Sequence, residues 1–531
     1  MLKIKVTEET FIRSLLSMYV NSWNLRTVVT GSPVTLKLGL IPGSLLRPNF
    51  EIKNLNIIFV ILLLSFVLNF ASSFLSKSRG WDESVYLSLA AGFSKHPFSY
   101  GFIGFVDMNY ECESCAGHRP PLLPLLLSVF FIIFGPALGP DMAIHILPPL
   151  FGMLSVFAVF LLGRELFNDR IGVMAAVILA VIPLHVLFSG QVLTDVPAGF
   201  FVTLCMYFYW RGFEKNYNCS KILFFLFAAL AILVKYTTMF LFPVCCLLLL
   251  RQGKNARRHI TKELFFGIIL FFLILLPWFL YSQAEYGNPL AAFLHGIKSQ
   301  HYWGDNIPYI TFLVDLSLLL SVFSLVFVIG LLMFFGLSPF AMRKQKSKEL
   351  FDSKYLLLLL PIFLLLASIT LFKYKEPRYF LPALPVFAIF CALTLDSFGH
   401  KIGKMLVLTI LLSLLSLFLF SQYLMNLYNS PSITCFQDSL EFIKTLPANT
   451  VIFSDSSPMI YYSTYFECPA LADLNTVQKR AALYSDRPVY VFWSVFDSNR
   501  GKKELDSFSF LQKSYVCASN GAEYAVLYKY T

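Results

Sequence analysis

The chain has 531 residues, of which 57% are hydrophobic and 14% are charged. Soluble globular chains contain roughly 45–50% apolar and about 25% charged residues, so this composition excludes a soluble enzyme, a nucleic-acid-binding protein and a disordered scaffold as descriptions of the whole chain. The formal net charge is +11. Lys and Arg cluster in loops between apolar runs, however, and that pattern indicates membrane topology before it indicates an acidic ligand.

Three regions follow one another along the chain. Residues 1–54 form a mixed, weakly apolar extension without the charged start, apolar core and cleavage site of a signal peptide, and we expect an N-terminal cytoplasmic extension. Apolar runs long enough to cross a hydrocarbon core of about 30 Å recur over residues 55–427. Residues 428–531 return to mixed composition. The sequence therefore predicts an α-helical polytopic membrane protein with a small C-terminal extracytoplasmic α/β domain.

The basic loops predict the topology, because Lys and Arg are retained on the cytoplasmic side. Keeping these loops inside requires about eleven crossings and two departures from a plain hydropathy count. Residues 120–134 open with two prolines and are short for a span, so we expect an interfacial or re-entrant helix. Residues 221–250 must form two short helices broken near Lys235. The other predicted spans are 55–75, 141–163, 171–188, 193–210, 262–281, 309–336, 355–372, 379–395 and 404–427.

Candidate catalytic carboxylates fall on the predicted outer face, which includes the loop 76–119. Asp82 and Glu83 are adjacent and follow the first span. A carboxylate at the apolar boundary has its pKa raised by desolvation or is kept ionised by cations, and both states suit a general base. The alternative is an interfacial helix start, where acidic residues favour the helix dipole. Asp195 is the third candidate, because carboxylates within apolar sequence are costly and usually functional.

Three candidate cations fall on the same predicted face. Arg119 precedes the short re-entrant helix, Lys235 stands at the break between two helices, and Arg378 precedes a late span. Each alone has the alternative of being an interfacial anchor. Together with the carboxylates they meet the needs of transfer from a phosphate-activated donor. Carboxylates activate the acceptor or, in the case of Glu83 and Asp195, hold a divalent ion, and cations stabilise the departing phosphate.

Further candidate substrate contacts on that face are aromatic and histidine side chains: Tyr86, His118, His301, Tyr302 and Tyr379. Aromatic rings there could stack on a sugar, and His301 could contact phosphate or a metal. Tyr302 equally fits the aromatic belt at a membrane surface.

The chain has ten cysteines, and two groups of them are predicted outside. Cys112 and Cys115 have metal-ligand-like spacing, but zinc needs two further ligands and only His118 is close, so a local disulfide is favoured over zinc. Cys435, Cys468 and Cys517 allow one disulfide in the tail, and the sequence does not choose the pair.

The tail alternates candidate helices with β-rich runs, which predicts an α/β domain. It contains no Gly-rich phosphate loop and no catalytic triad, so we expect it to shape acceptor access. The predicted helices are 435–445 and 474–484, and the β-rich runs are 451–454, 489–493, 515–518 and 525–530.

An ordered set of short motifs within about residues 55–400 resembles the GT-C membrane glycosyltransferases, and within them the protein O-mannosyltransferase and aminoarabinose-transferase-like group. The motifs are Trp-Asp-Glu-x-x-Tyr at 81–86, His-Arg-Pro-Pro-Leu at 118–122, Gly-Arg-Glu-Leu-Phe at 163–167, Thr-Asp-x-Pro at 194–197, Lys-Tyr-Thr at 235–237 and Pro-Arg-Tyr-x-Leu-Pro at 377–382. Each motif alone is weak, whereas their order and shared compartment are fairly specific.

The resemblance implies an inverting transfer of one sugar from a polyprenyl-phosphate donor to an acceptor hydroxyl on the outer face. It implies Asp82 as the catalytic acid/base, Asp195 in the active site, and Arg119 and Lys235 at the donor phosphate. The family often has Lys where Arg119 stands, which keeps the charge but changes the geometry. The chain lacks the Trp-Trp-Asp signature of the oligosaccharyltransferases, which argues against transfer of a whole oligosaccharide to Asn.

The sequence thus predicts a hexosyl- or pentosyltransferase that uses a polyprenyl-phosphate sugar, in the plasma membrane, with its site on the extracytoplasmic side. Expected partners are the lipid-linked donor, a lipid, glycan or protein acceptor and membrane lipids, without nucleic acid. A divalent cation, Mg²⁺ or Mn²⁺ ahead of Zn²⁺, is the cofactor considered. The rivals are a transporter or flippase of a lipid-linked sugar, for which the chain shows no matching halves, and a non-catalytic subunit of the same fold.

Overall fold

A computed structural model describes most of the chain. The described residues are 55–74, 80–95, 119–138, 140–294, 306–335, 352–398, 402–464, 466–469, 478, 481, 484, 486–496 and 502–531. The predicted extension 1–54 lies outside them, as do His118, His301, Tyr302 and the Cys112/Cys115 pair. Most of the predicted tail helix 474–484 also lies outside the described residues.

Apolar helices make up the membrane part. The helices are Leu55–Ser72, Trp81–Lys95, Leu122–Leu138, Pro140–Leu166, Asp169–Val181, Pro183–Ser189, Asp195–Tyr209, Asn218–Val234, Leu241–Arg251, Lys262–Tyr286, Tyr309–Leu320, Val322–Phe334, Ser353–Thr370, Leu384–Ser397 and Ile402–Tyr428. Short 3₁₀ segments cover Tyr236–Phe240, Gly253–His259 and Pro377–Ala383, and a π-helical turn covers Trp210–Glu214. Most predicted spans therefore appear as helices with bounds within a few residues of the prediction.

The predicted break near Lys235 is present. The helix Asn218–Val234 ends there, because Lys235 has extended backbone dihedrals (φ −156°, ψ 117°) that no α-helix can contain. A 3₁₀ turn and the helix Leu241–Arg251 follow. The break therefore places one cation between two short helices.

Two predicted spans are bent instead of straight. The span expected at 171–188 bends by 62° between Val181 and Pro183, because proline lacks the N–H of a continuing helix and pushes the preceding residue out of the helical region. The span expected at 309–336 bends by 106° at Ser321, whose φ of 55° ends the first helix. Neither half of the second pair is long enough to cross alone.

Helix length and composition support a multi-pass membrane protein. Within the described ranges, four helices are long and apolar enough to cross, and counting each bent pair as one span raises the number to six. The four are Ile144–Leu166, Lys262–Tyr286, Ser353–Thr370 and Pro377–Ser397. Several other apolar helices are shorter, among them Leu122–Phe134, which the sequence expects to be interfacial or re-entrant. The eleven crossings and the outward orientation stay predictions.

At two glycines, a helix packs closely against a neighbouring backbone segment. A Cβ on Gly172 would lie 2.7 Å from the Phe160 carbonyl oxygen, so a side chain there would force the helices Pro140–Leu166 and Asp169–Val181 apart. A Cβ on Gly199 would lie 3.0 Å from the Leu381 carbonyl oxygen. The second approach brings the helix that begins at Asp195 against the 3₁₀ segment that carries Arg378.

The tail forms the predicted small α/β domain. Its strands are β1 Val451–Phe453, β2 Val489–Ser494, β3 Leu511–Ser519 and β4 Ala522–Tyr530, in the order β1-β2-β4-β3. β1 pairs with β2 in parallel, and the other pairs are antiparallel. The helices Pro431–Lys444, Ser457–Thr464 and Lys502–Asp506 accompany the sheet.

Apolar clusters lie on the sheet, and a disulfide closes one of them. Cys435 on the helix Pro431–Lys444 is bonded to Cys517 on β3, and Cys468 is buried in the same cluster. The structure thus supplies the tail pairing that the sequence left open.

Candidate active site

Asp82 is held between two guanidinium groups. It lies in the first turn of the helix Trp81–Lys95, where its side chain is 24% exposed. Its Oδ1 is 2.8 Å from Arg119 Nη1, and its Oδ2 is 2.7 Å from Arg378 Nη2. Burial alone would raise the pKa of this carboxyl, but the charges and hydrogen bonds of the two arginines outweigh burial and hold the pKa well below its usual range. Asp82 is therefore a carboxylate anion in this state.

Aromatic rings fix Arg119 beside Asp82. The Arg119 guanidinium carbon is 5.5 Å from the centre of the Trp81 ring and 5.6 Å from that of Tyr86, both within cation–π range. Arg119 also hydrogen-bonds to the Tyr86 hydroxyl, which in turn bonds to Thr194. These contacts join the residue ahead of the helix Leu122–Leu138 to the Asp82 helix and to the residue before Asp195.

Asp195 and Lys235 form a second ion pair. Asp195 is 2% exposed, opens the helix Asp195–Tyr209 and is bonded through Oδ1 to Lys235 Nζ. Lys235 Nζ also lies 5.2 Å from the centre of the Tyr379 ring. The break between helices at Lys235 thus delivers an ammonium group to a buried carboxylate.

Arg378 connects Asp82 to a third carboxylate, Glu376. Arg378 Nη2 donates to Glu376 Oε1 at 3.1 Å, and Arg378 Nε pairs with the other Glu376 oxygen. The carboxylates and cations that these pairs gather, namely Asp82, Asp195, Glu376, Arg119, Arg378 and Lys235, are called the central charge cluster below. Its formal charges cancel, so an anionic ligand would have to displace carboxylates from cations.

Glu83 bonds to backbone amides. It is 4% exposed, and its Oε2 and Oε1 accept hydrogen bonds of 2.9 Å from the Gly80 and Val192 N–H groups. The first bond caps the start of the Asp82 helix, and the second ties that helix to the turn before Asp195. Glu83 therefore connects the two segments that carry Asp82 and Asp195.

The residues present do not fit the divalent cation that the sequence led us to consider at Glu83 and Asp195. Both Glu83 oxygens accept backbone hydrogen bonds, and Asp195 is paired with Lys235. Within the part of the chain that the structure describes, no group of three or more His, Cys, Asp or Glu side chains is arranged to hold a metal.

The structure brings together most sequence-predicted site residues. Seven of them come from well-separated segments and lie together in the structure: Asp82, Arg119, Asp195, Lys235, Arg378, Tyr86 and Tyr379. Glu83 adjoins this group through the backbone, and His118, His301 and Tyr302 lie outside the described residues. Sequence reasoning missed Glu376. The sequence offered one signal for Glu376, which is that this acidic residue stands two positions before Arg378 in the same short polar segment.

A different set of ion pairs lies at the other ends of the same helices. Arg164 Nε is 2.6 Å from Asp169 Oδ1, Arg170 Nε is 2.7 Å from Asp396 Oδ1, and Lys215 Nζ is 2.8 Å from Glu165 Oε1; we call these the far-end ion pairs. The 15-residue helix Asp195–Tyr209 separates Asp195 from the turn before Lys215, a rise of about 22 Å. The Gly-Arg-Glu-Leu-Phe motif therefore lies far from Asp195.

Sequence comparisons match part of the chain. The family model described as dolichyl-phosphate-mannose-protein mannosyltransferase matches residues 118–281. An uncharacterized protein of Aquifex aeolicus is 25% identical over 238 residues, which are 44% of this chain and 45% of that protein. The match thus spans less than half the length of that relative.

Solved structures match most of the chain at low identity. ArnT from Cupriavidus metallidurans bound to undecaprenyl phosphate has a TM-score of 0.60 at 14% identity, covering 89% of this chain and 98% of ArnT. The apo oligosaccharyltransferase of Archaeoglobus fulgidus has a TM-score of 0.55 at 14% identity, covering 83% and 69%. A second structure from Archaeoglobus fulgidus, the oligosaccharyltransferase AglB in complex with an inhibitory peptide and a dolichol-phosphate, has a TM-score of 0.55 at 12% identity and covers 83% of this chain and 69% of AglB.

These likenesses establish the fold. The chain has the membrane fold of the GT-C glycosyltransferases, and the sequence resemblance to that group is confirmed. The fold alone does not assign a reaction, because function resides in the site that a fold carries.

Proposed function

We propose that this protein transfers a single sugar from a polyprenyl-phosphate-linked donor to a hydroxyl group of an acceptor, at the central charge cluster. The observation that carries the proposal is Asp82 held between Arg119 and Arg378, with the Lys235–Asp195 pair beside it. Support comes from the GT-C fold and from the undecaprenyl phosphate and dolichol-phosphate bound in two structurally similar proteins.

The three cations are the proposed phosphate-binding groups. Arg119 and Arg378 offer planar guanidinium groups, which bind phosphate through two parallel N–H bonds, and Lys235 offers a compact ammonium. In the state described here these groups are paired with carboxylates. An entering phosphate would compete for the two arginines, and any guanidinium that turns towards the phosphate increases the proton affinity of Asp82.

Asp82 is the proposed base for the acceptor hydroxyl. As it removes the proton, the hydroxyl oxygen bonds to the anomeric carbon from the side opposite the phosphate, and the configuration is inverted. The bond from the anomeric carbon to the phosphate oxygen breaks, and its electron pair stays on the phosphate. Charge grows on that oxygen during transfer, so cations already fixed beside it stabilise the transition state more than the bound donor. Asp195 orients Lys235 for this task.

Tyr86 and Tyr379 border the cluster and are the proposed surfaces for sugar stacking. The donor sugar is a hexose or pentose, and the acceptor is a lipid, glycan or protein. We place the reaction on the extracytoplasmic face of the plasma membrane because the basic loops are predicted to stay inside.

The direct test incubates purified protein with radiolabelled polyprenyl-phosphate sugars and either extracted lipids or peptides. We expect labelled acceptor and free polyprenyl phosphate from the wild type, and neither from Asp82→Asn. The same donors in sealed vesicles test the transporter alternative. Passage of intact donor without release of polyprenyl phosphate would favour a flippase and contradict our proposal.

A further inference from the structure

One nitrogen atom joins two carboxylates of the central charge cluster. Arg378 Nη2 lies 2.7 Å from Asp82 Oδ2 and 3.1 Å from Glu376 Oε1. The two carboxylate oxygens cannot be further apart than the sum of these contacts, which is about the span of one bridging water molecule. Among the described residues, Glu376 is thus the carboxylate that shares a guanidinium nitrogen with Asp82.

The two carboxylates differ in the number of cations that they contact. Asp82 binds the guanidiniums of Arg119 and Arg378, whereas Glu376 shares only Arg378 with it among the described residues. Each neighbouring cation favours the ionised form, so the carboxylate with one guanidinium holds a proton more tightly than the carboxylate with two. The Glu376 side chain is 25% exposed, which gives a proton a route to water.

The other groups that act on Glu376 increase this difference. Burial raises the pKa of Glu376, Arg378 opposes the rise, and the negative charges of Asp82 and Asp195 add to it, so the net shift is upward. The hydrogen bond that Tyr374 from the same segment donates to Glu376 favours the ionised form and so opposes the rise, as Arg378 does, but the net shift stays upward. The pKa of Asp82 is shifted in the opposite direction.

We propose that Glu376 is a second proton acceptor of the transfer site and takes from Asp82 the proton that Asp82 removes from the acceptor hydroxyl. This inference rests on the proposed sugar transfer. The acceptor O–H bond breaks as the oxygen bonds to the anomeric carbon, the phosphate leaves with the electron pair, and the proton passes from Asp82 to Glu376 and then to water. Asp82 is thereby restored as the anion that Arg119 and Arg378 require.

The variant Glu376→Gln tests the step, because its amide oxygen still accepts a bond from Arg378 while the group no longer takes up a proton. We expect single-turnover transfer to fall roughly 10–100-fold, less than the 10²–10⁴ typical of a primary base. Donor affinity should stay within about twofold, because no cation is removed. In a second variant, Glu376→Ala, the truncated side chain leaves room for formate, a small soluble carboxylate, which should restore part of the rate there and leave the wild type unchanged.

The pH profile supplies a readout that a merely structural role would not move. Glu376 must be ionised to accept a proton, so the wild-type rate should decline as pH falls through the raised pKa of Glu376. Glu376→Gln should lose this decline, and Glu376→Asp, which keeps a carboxylate, should retain it. Glu467→Gln is the matched control, because Glu467 pairs with Arg487 at 2.6 Å in the tail, and it should leave the rate unchanged.

Two results would overturn the inference. One is wild-type transfer by Glu376→Gln with the acid decline intact. The other is a loss of rate that formate does not restore and that parallels a loss of donor affinity, which would make Glu376 a positioning residue for Arg378. If Asp82→Asn is inactive while Glu376→Gln is active, only this inference fails. Absence of transfer by the wild type with every donor would instead remove the proposed function.

Discussion

The central charge cluster and the far-end ion pairs lie at opposite ends of the same helices and are built differently. The far-end pairs join neighbours such as Arg164 and Asp169, or facing helices, as Lys215 and Glu165 do. In the central cluster, by contrast, the ions share partners: Asp82 contacts two guanidiniums at once, and Arg378 contacts two carboxylates. Partly exposed ion pairs contribute only about 0–1 kcal/mol each to stability. A convergence of several charges from separate segments on shared partners is the arrangement expected of a ligand site.

The largest expected effect is on accessibility, because we predict that the tail and the central charge cluster lie outside the membrane and that the far-end ion pairs lie inside. A cysteine at Ser514, exposed on β3, should be labelled by an impermeant thiol reagent in intact cells. A cysteine at Ile260, which is 64% exposed near the far end, should resist labelling until lysis. Labelling only of the Ile260 site in intact cells would reverse the orientation.

Removing one carboxylate from each region should separate catalysis from structure. Asp82→Asn should lower the rate of single-turnover transfer about 10²–10⁴-fold, because the base is lost. The protein should still bind the donor and unfold at the wild-type temperature, because Asn has nearly the same size and shape as Asp. Asp169→Asn, which removes the negative charge beside Arg164, should leave transfer near wild type. Near-wild-type transfer by equally abundant Asp82→Asn would contradict the assignment.

Removing one cation from each region should affect donor binding at the central cluster alone. Arg119→Ala and Lys235→Ala should weaken affinity for the donor roughly 10–100-fold, the effect expected of a hydrogen bond to a charged group, and slow transfer as well. Arg119→Lys should weaken donor affinity less, because lysine keeps the positive charge but lacks the two parallel N–H donors of the guanidinium.

The control for the cations is Arg164→Ala in the far-end pairs. Donor affinity, measured by equilibrium binding of a labelled donor, should be unchanged in this variant. An equal loss in Arg164→Ala and Lys235→Ala would mean that the cations act as general membrane anchors.

The smallest expected effect concerns Glu83, which connects the Asp82 helix to the turn before Asp195 through two hydrogen bonds. Glu83→Gln should lower the maximal rate about tenfold and the free energy of unfolding by roughly 1–3 kcal/mol, because one of two buried N–H donors would face an NH₂ group. Donor affinity should change little. A fall in rate as deep as that of Asp82→Asn, without loss of stability, would make Glu83 part of the chemistry.

The sequence predicts the helices and the cluster members better than it predicts their partners. Long apolar runs predict spans such as Ser353–Thr370, and β-rich runs predict the tail strands. The break at Lys235 follows from keeping basic loops on one side. The proline at 183 is a local sequence signal for the first bend. The bend at Ser321 arises from a positive φ, which a serine in the sequence does not predict.

Pairing within the site could not be predicted because it depends on tertiary packing. The Arg378–Asp82 contact joins residues 296 positions apart, and nothing local specifies it. The proximity of Glu376 to Asp82 follows from that contact, so a sequence pattern could not reveal it. The tail disulfide is a similar case, since the spacing of three cysteines does not distinguish Cys435–Cys517 from the other pairs.

The balance between released polyprenyl phosphate and transferred sugar tests the central claim most directly. Purified protein would be mixed with a donor labelled in both the lipid and the sugar, and the free polyprenyl phosphate and the labelled acceptor would be counted in one single-turnover reaction. We predict equal molar amounts of the two products from the wild type and neither from Asp82→Asn. Donor that is bound or moved across the membrane intact by the wild type, with no polyprenyl phosphate released for any sugar or acceptor, would contradict the account.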